Sequence, residues 1–197
     1  MQPEDAKPAA DGRLGRLKLR KTVVLVGMMG AGKTAVGRMV AQLLRVPFRD
    51  SDHEIEAAAH MTIAEIFERD GERFFRAREA EVIDRLLRAG PSILSTGGGA
   101  FLQERNRTAI AETGVAMCLL ADLDLLWSRV RHKTTRPLLR TADPKATLAE
   151  LLAVRGPVYA LADLSVRTQP DYSIEETARL VIDTLRTRPD VLEEVPA

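Results

Sequence analysis

The chain of 197 residues contains one cysteine, Cys118, set within the apolar run from Val115 to Leu120. No intrachain disulfide is possible, which fits a reducing compartment, and a small buried core residue is the plain reading of that thiol. Charge of one sign is also lacking, since 29 Lys and Arg stand against 28 Asp and Glu. No global field therefore favours nucleic acid or an anionic membrane surface, and an anionic ligand must be bound by local arrangement. The N-terminal segment alternates Pro, Ala, Gly and charged residues without the apolar core of a signal peptide, and no membrane span is visible. His53, His60 and His132 show no metal-ligand spacing. Internal repeats and a domain-scale linker are missing as well. The expectation is a cytoplasmic, monomeric, single-domain protein with neither nucleic acid nor membrane as partner.

What is present suits a globular core: 45% hydrophobic and 29% charged residues. At this length folding buries roughly 70% of the surface of the unfolded chain. Residues 1–20 carry Lys7, Arg13, Arg16, Lys18 and Arg20 against Glu4, Asp5 and Asp11, and read as a solvated, poorly ordered arm. Residues 21–187 form the domain. From about Arg188 the chain, with two prolines and three acids, reads as a frayed tail over 188–197.

Within the domain, β-branched or apolar runs at Thr22 to Val26, Pro47 to Phe48, Ile93 to Thr96, Val115 to Leu120 and Leu164 to Arg167 predict five short strands. Helical spacing fills the intervals, beginning with Val36, Val40, Leu43 and Leu44 before Pro47. Three helix starts are expected where a hydroxyl precedes Glu by three positions: Thr62 with Glu65, Thr147 with Glu150, and Ser173 with Glu176. Alternation of this kind implies an α/β fold, a five-stranded parallel sheet flanked by helices in three layers, with its ligand site beyond the strands' carboxyl ends.

Gly27, Gly32, Lys33 and Thr34 stand in the spacing G-x-x-x-x-G-K-[ST], after a predicted strand and before a predicted helix. Glycines let the backbone curl so that its N–H groups, with the helix N-terminus, face phosphate oxygens. Lys33 is placed to reach the β and γ phosphates and Thr34 to ligate Mg²⁺. Nucleotide binding follows, but the loop alone does not choose between kinase, ATPase, GTPase and synthetase. Asp50 and Asp52 follow the second strand, offering one carboxylate for metal and one for an acceptor hydroxyl; a helix N-cap beside a solvated acid would look the same. The third strand runs into Gly97, Gly98 and Gly99, more glycine than a turn needs, which suits a substrate lying against backbone. It lacks the Asp of the usual second nucleotide motif. Arg73, Arg76 and Arg78 lie among Glu72, Glu79 and Glu81 and equally suit an ion-paired, solvated helix face. Lys133, Arg136 and Arg140 surround Thr134, Thr135 and Pro137, a basic segment suited to a lid over about 131–143.

Six segments in order now resemble one family: GMMGAGKT at 27–34, DSD at 50–52, GERFFRARE at 71–79, STGGG at 95–99, TRPLL at 135–139 and RGPVY at 155–159. Over about residues 20–187 the chain resembles the shikimate kinases, P-loop kinases related in fold to nucleoside monophosphate kinases. The resemblance implies ATP-dependent phosphorylation of the 3-hydroxyl of shikimate, with ATP and Mg²⁺ required. It implies ATP contacts at Gly30, Ala31, Gly32, Lys33, Thr34, Ala35, Arg129, Arg136 and Pro170, with Arg129 packed on adenine. It assigns the acceptor to Asp52, Arg76, Gly97, Gly98, Gly99 and Arg155, the two arginines gripping its carboxylate by planar forks. Asp52 as base or orienting group, Lys33 and the lid residue Arg136 are the implied catalytic set. Thr34 holds the metal, Asp50 acts on it through water, and Ser95 stands where the missing Asp would help.

Overall fold

Residues 17–132, 137–139 and 141–195 are described by the structure, a computed structural model. In chain order their strands are β1 (Leu17–Leu19), β2 (Thr22–Val26), β3 (Phe48–Asp50), β4 (Ile93–Ser95), β5 (Gly114–Leu120), β6 (Leu164–Arg167) and β7 (Leu192–Glu194). The α-helices are α1 (Lys33–Leu44), α2 (Ser51–Ala59), α3 (Ile63–Arg88), α4 (Glu104–Thr113), α5 (Leu123–Val130), α6 (Pro144–Tyr159) and α7 (Ile174–Arg186).

The β-branched run TVVLV is buried at every position of β2, as a strand covered on both faces requires. It is the middle strand of a five-stranded parallel sheet in the order β3-β4-β2-β5-β6. Helix α1 packs against α7, and α3 against α4. The chain leaves β2 toward β3 and β4 on one side and later crosses to β5 and β6 on the other. The resulting crevice at the carboxyl end of β2 is where such sheets hold ligands.

Two of the three expected capping boxes form, Thr62 with Glu65 at α3 and Ser173 with Glu176 at α7. The third does not. Helix α6 begins a turn earlier, capped by Asp143, whose side chain accepts from the Ala146 N–H at 3.0 Å, with Pro144 at the first helical position. Asp followed by Pro is the stronger start, because proline has no N–H to leave unsatisfied there. Thr147 instead donates back to the Asp143 carbonyl.

Of the expected arm and frayed tail, residues 1–16 and 196–197 lie outside the described residues, and the remainder is paired. Leu17–Leu19 pairs antiparallel with Leu192–Glu194, and the Arg20 N–H donates to the Val191 carbonyl at 2.7 Å. Val191 and Leu192 are buried in the main core, and that burial offsets the cost of ordering both segments. A second, smaller core of Ile55, Ile66 and Phe75 lies between α2 and α3, apart from the main one.

Candidate active site

The phosphate loop leaves β2 at Gly27, whose φ of +131° and close approach exclude a side chain: a Cβ there would stand 2.7 Å from the Leu119 carbonyl oxygen. Gly32, with φ +98°, delivers the chain into α1, so the N-terminal end of that helix lies at the crevice. Lys33 is buried, and its ammonium donates to the Gly27 and Met28 carbonyls at 2.8 and 3.0 Å. Arg129 of α5 reaches across and donates to the Gly30 and Ala31 carbonyls, both at 3.2 Å. Partial burial lowers its pKa. Both cations are therefore gathered on the loop.

Asp50 does two things at once. One carboxylate oxygen accepts from the Asp52 and His53 N–H groups and caps α2; the other accepts from the Thr34 hydroxyl at 3.1 Å. The Thr34 oxygen also lies 3.2 Å from the Ser95 hydroxyl. The cap and metal-side readings of this acid are thus both compatible with its position. Three hard oxygens, one of them a carboxylate, suit a Mg²⁺ ion that keeps waters and phosphate oxygens as its other ligands. Among the described residues no three His, Cys, Asp or Glu side chains cluster, so an all-protein metal cage is not formed.

Asp52 projects from the first turn of α2 against the glycine run after β4. A Cβ at Gly97 would meet its two carboxylate oxygens at 2.8 and 3.2 Å. Gly99 gives the same room to Arg76, whose guanidinium nitrogens would lie 2.5 and 2.7 Å from a Cβ at that position. Arg76 donates to Glu79 at 2.8 Å and to Glu72 at 3.3 Å. Burial pushes the Glu79 carboxyl upward while Arg76 pulls it down. The exposed pair Arg78 and Glu81 is the solvated face that the sequence allowed for this helix. Arg76 is different, because its partner Glu79 is fully buried.

Loop, acid pair and glycine run line one cleft of about 620 Å³. Gly30, Ala31, Gly32, Lys33, Thr34, Ala35, Asp50, Asp52, Ser95, Gly97, Gly98 and Arg129 all reach it. Arg76 and Gly99 sit together at its side, and the Tyr159 hydroxyl donates to the Gly98 carbonyl, with the Arg155 charge near enough to pull the phenol's pKa down. Pro170 is exposed and outside the lining; the wall there is made by Thr168, Tyr172, Ser173, Ile174 and Thr177. Arg136, Lys133, Thr134, Thr135 and Arg140 lie outside the described residues. Sequence reasoning missed Glu79, Tyr159 and the α7 side of the cleft. The first two stood three and four positions after a chosen arginine, the spacing that brings helix side chains together.

A family model described as shikimate kinase matches residues 29–186. The chain belongs to the shikimate kinase family. The shikimate kinase of Ruegeria pomeroyi is 64% identical over 179 residues, covering 91% of this chain and 92% of that protein. That of Cereibacter sphaeroides is 61% identical over 183 residues, covering 93% and 92%. Among solved structures, the shikimate kinase from Acinetobacter baumannii in complex with shikimate matches with a TM-score of 0.80 at 38% identity, over 85% of this chain and 93% of that one. The shikimate kinase match reaches from inside the phosphate loop to the last turn of α7, so it takes in the acid pair, the glycine run and α6.

Proposed function

We infer that this chain transfers the γ-phosphoryl group of ATP to the 3-hydroxyl of shikimate, giving shikimate 3-phosphate and ADP. One observation carries the chemistry: a phosphate loop and a carboxylate, Asp52, face the same cleft, with a side-chain-free glycine wall and Arg76 beside it. The relatives in the family, and the solved shikimate complex among them, supply the acceptor's identity.

Phosphoryl transfer leaves little covalent work to the protein, so positioning and charge neutralisation dominate. The α1 N-terminus and the loop amides bind the triphosphate, and Lys33 balances charge on its β and γ groups. Arg76 and Arg155 hold the acceptor's carboxylate, while the glycine wall lets its ring approach the backbone closely. Asp52 accepts a hydrogen bond from the acceptor hydroxyl, orients its oxygen and takes up its proton as that oxygen bonds to phosphorus and the bond to the ADP oxygen breaks. Thr34, with Asp50 and Ser95 beside it, would hold Mg²⁺, which when bound supplies charge compensation on the phosphates. Arg136 is proposed to close over the transferring group, and Arg129 to flank the adenine while anchored on the loop. The free, buried Cys118 supports a reducing, cytoplasmic setting.

A coupled ADP-release assay on the full chain tests the reading. Turnover that depends on shikimate, ATP and Mg²⁺ together is expected. Robust turnover with gluconate but none with shikimate would overturn it, as would nucleotide binding without phosphorylation of any small acid.

A further inference from the structure

Arg155 and Tyr159 lie one turn apart in α6 and so share a face of the helix. Tyr159 is only 3% exposed. Its hydroxyl donates to the Gly98 carbonyl, and the Arg155 charge is near enough to work against the rise in its pKa. Pro157, between the two, has no N–H to give to the helix, so this turn of α6 is short of one backbone bond and relies more on side-chain ties.

The acceptor of that bond matters. Gly98 has no side chain to fix it, and the glycine run is the stretch of the cleft with the greatest backbone freedom. A trans peptide is planar, so holding the Gly98 carbonyl also fixes the Gly99 N–H, which points the opposite way. Gly99 is the residue against which the Arg76 guanidinium lies. One phenol thus restrains the peptide beside Arg76 while sharing a helix face with Arg155, these being the two cations assigned to the acceptor's carboxylate. Burial pushes its pKa up to about 12, so the hydroxyl keeps its proton, and its donor role, across the working pH range.

We propose that Tyr159 is a positioning residue for the acceptor acid, a bridge that sets Arg155 and the glycine wall in register with each other. The inference rests on the assignment of this cleft to shikimate. Its test is steady-state kinetics of the full chain as wild type, Tyr159→Phe, Arg155→Ala and the double variant, with thermal melting of each.

Phenylalanine keeps the ring and its packing. Tyr159→Phe is expected to raise KM for shikimate about five- to tenfold, the effect of one lost hydrogen bond, with KM for ATP changed by less than about twofold. Because Tyr159 acts partly through Arg155, the double variant should lose less than the product of the single losses. Unchanged KM for shikimate, whether or not the melting temperature falls, would overturn the proposal. Equal rises for both substrates, or fully multiplicative losses, would do the same. A wild type inactive on shikimate would sink the functional reading and this one together, whereas an active wild type matched by Tyr159→Phe removes this one alone.

Discussion

A methyl group added at Gly97 and one added at Gly99 meet different partners, and the two substitutions should separate two functions. At Gly97 the Cβ would stand 2.8 Å from a carboxylate oxygen of Asp52, a short side chain with little room to retreat. Gly97→Ala is expected to lower kcat by about 10- to 100-fold, the usual cost of displacing a positioned group by an ångström or so. At Gly99 the clash falls on the far end of Arg76, a long side chain that can swing aside. Gly99→Ala should therefore leave kcat nearly intact and raise KM for shikimate. Arg76→Ala is expected to raise it by about 10- to 100-fold, because a charge-assisted pair is lost, with little change for ATP. Kinetics showing the reverse pattern would refute the assignment. The run of glycines was legible in the sequence as a backbone wall. Which glycine faces Asp52 and which faces Arg76 was not, since α2 and α3 reach the wall from 45 and about 20 residues away only after folding.

Helix α3 shows the same limit at the scale of an element. The sequence predicts a helix start at Thr62 and a charged helix face at Arg73, Arg76 and Arg78; the element spans Ile63–Arg88, yet Gly71 within it has φ +82° and ψ 169°. That conformation is open only to glycine, so the element is two helical segments joined at a kink five residues before Arg76. The first segment gives Ile66 to the small core and the second gives it Phe75 before continuing into the main core through Ile83 and Leu87. Gly71→Ala is expected to cost about 1–3 kcal/mol, or roughly 2–10 °C in melting temperature for a chain of this length. Nothing stands within 4 Å of its Cβ, so the loss would come from backbone strain alone. A variant as stable as wild type would show that the kink is not required. An isolated glycine in a helical pattern is tolerated on sequence grounds, and its positive φ becomes visible only in the folded chain.

For the molecule as a whole, the chain ends are joined outside the span that the family model matches. Asp190 is the charged centre of that join, receiving hydrogen bonds from Arg188 and Lys21 that hold its carboxyl well below the usual carboxylate range. A carboxyl whose folded pKa is depressed contributes stability above its unfolded value, near 3.9, and loses it as pH falls from there. Amide exchange at Leu17–Leu19 is thus expected to quicken below about pH 4 before the central sheet opens, and Asp190→Asn should flatten that dependence. The pair is exposed, so added salt should weaken it too. Equal pH dependence in the variant would assign the effect to other carboxyls.

The amino-acid sequence by itself determined the parallel sheet, the phosphate loop and the family, because each rests on local spacing: a buried β-branched run, glycines before Lys33, two capping boxes that formed at Thr62 and Ser173. Tertiary structure alone decided that Asp50 caps a helix while facing Thr34, that Arg129 fastens on the loop, that Tyr159 reaches Gly98 and that the termini pair. Those contacts join residues whose separation along the chain is bridged only when helices pack on the sheet. Their energies depend on burial and on a partner's position, neither of which a local pattern encodes.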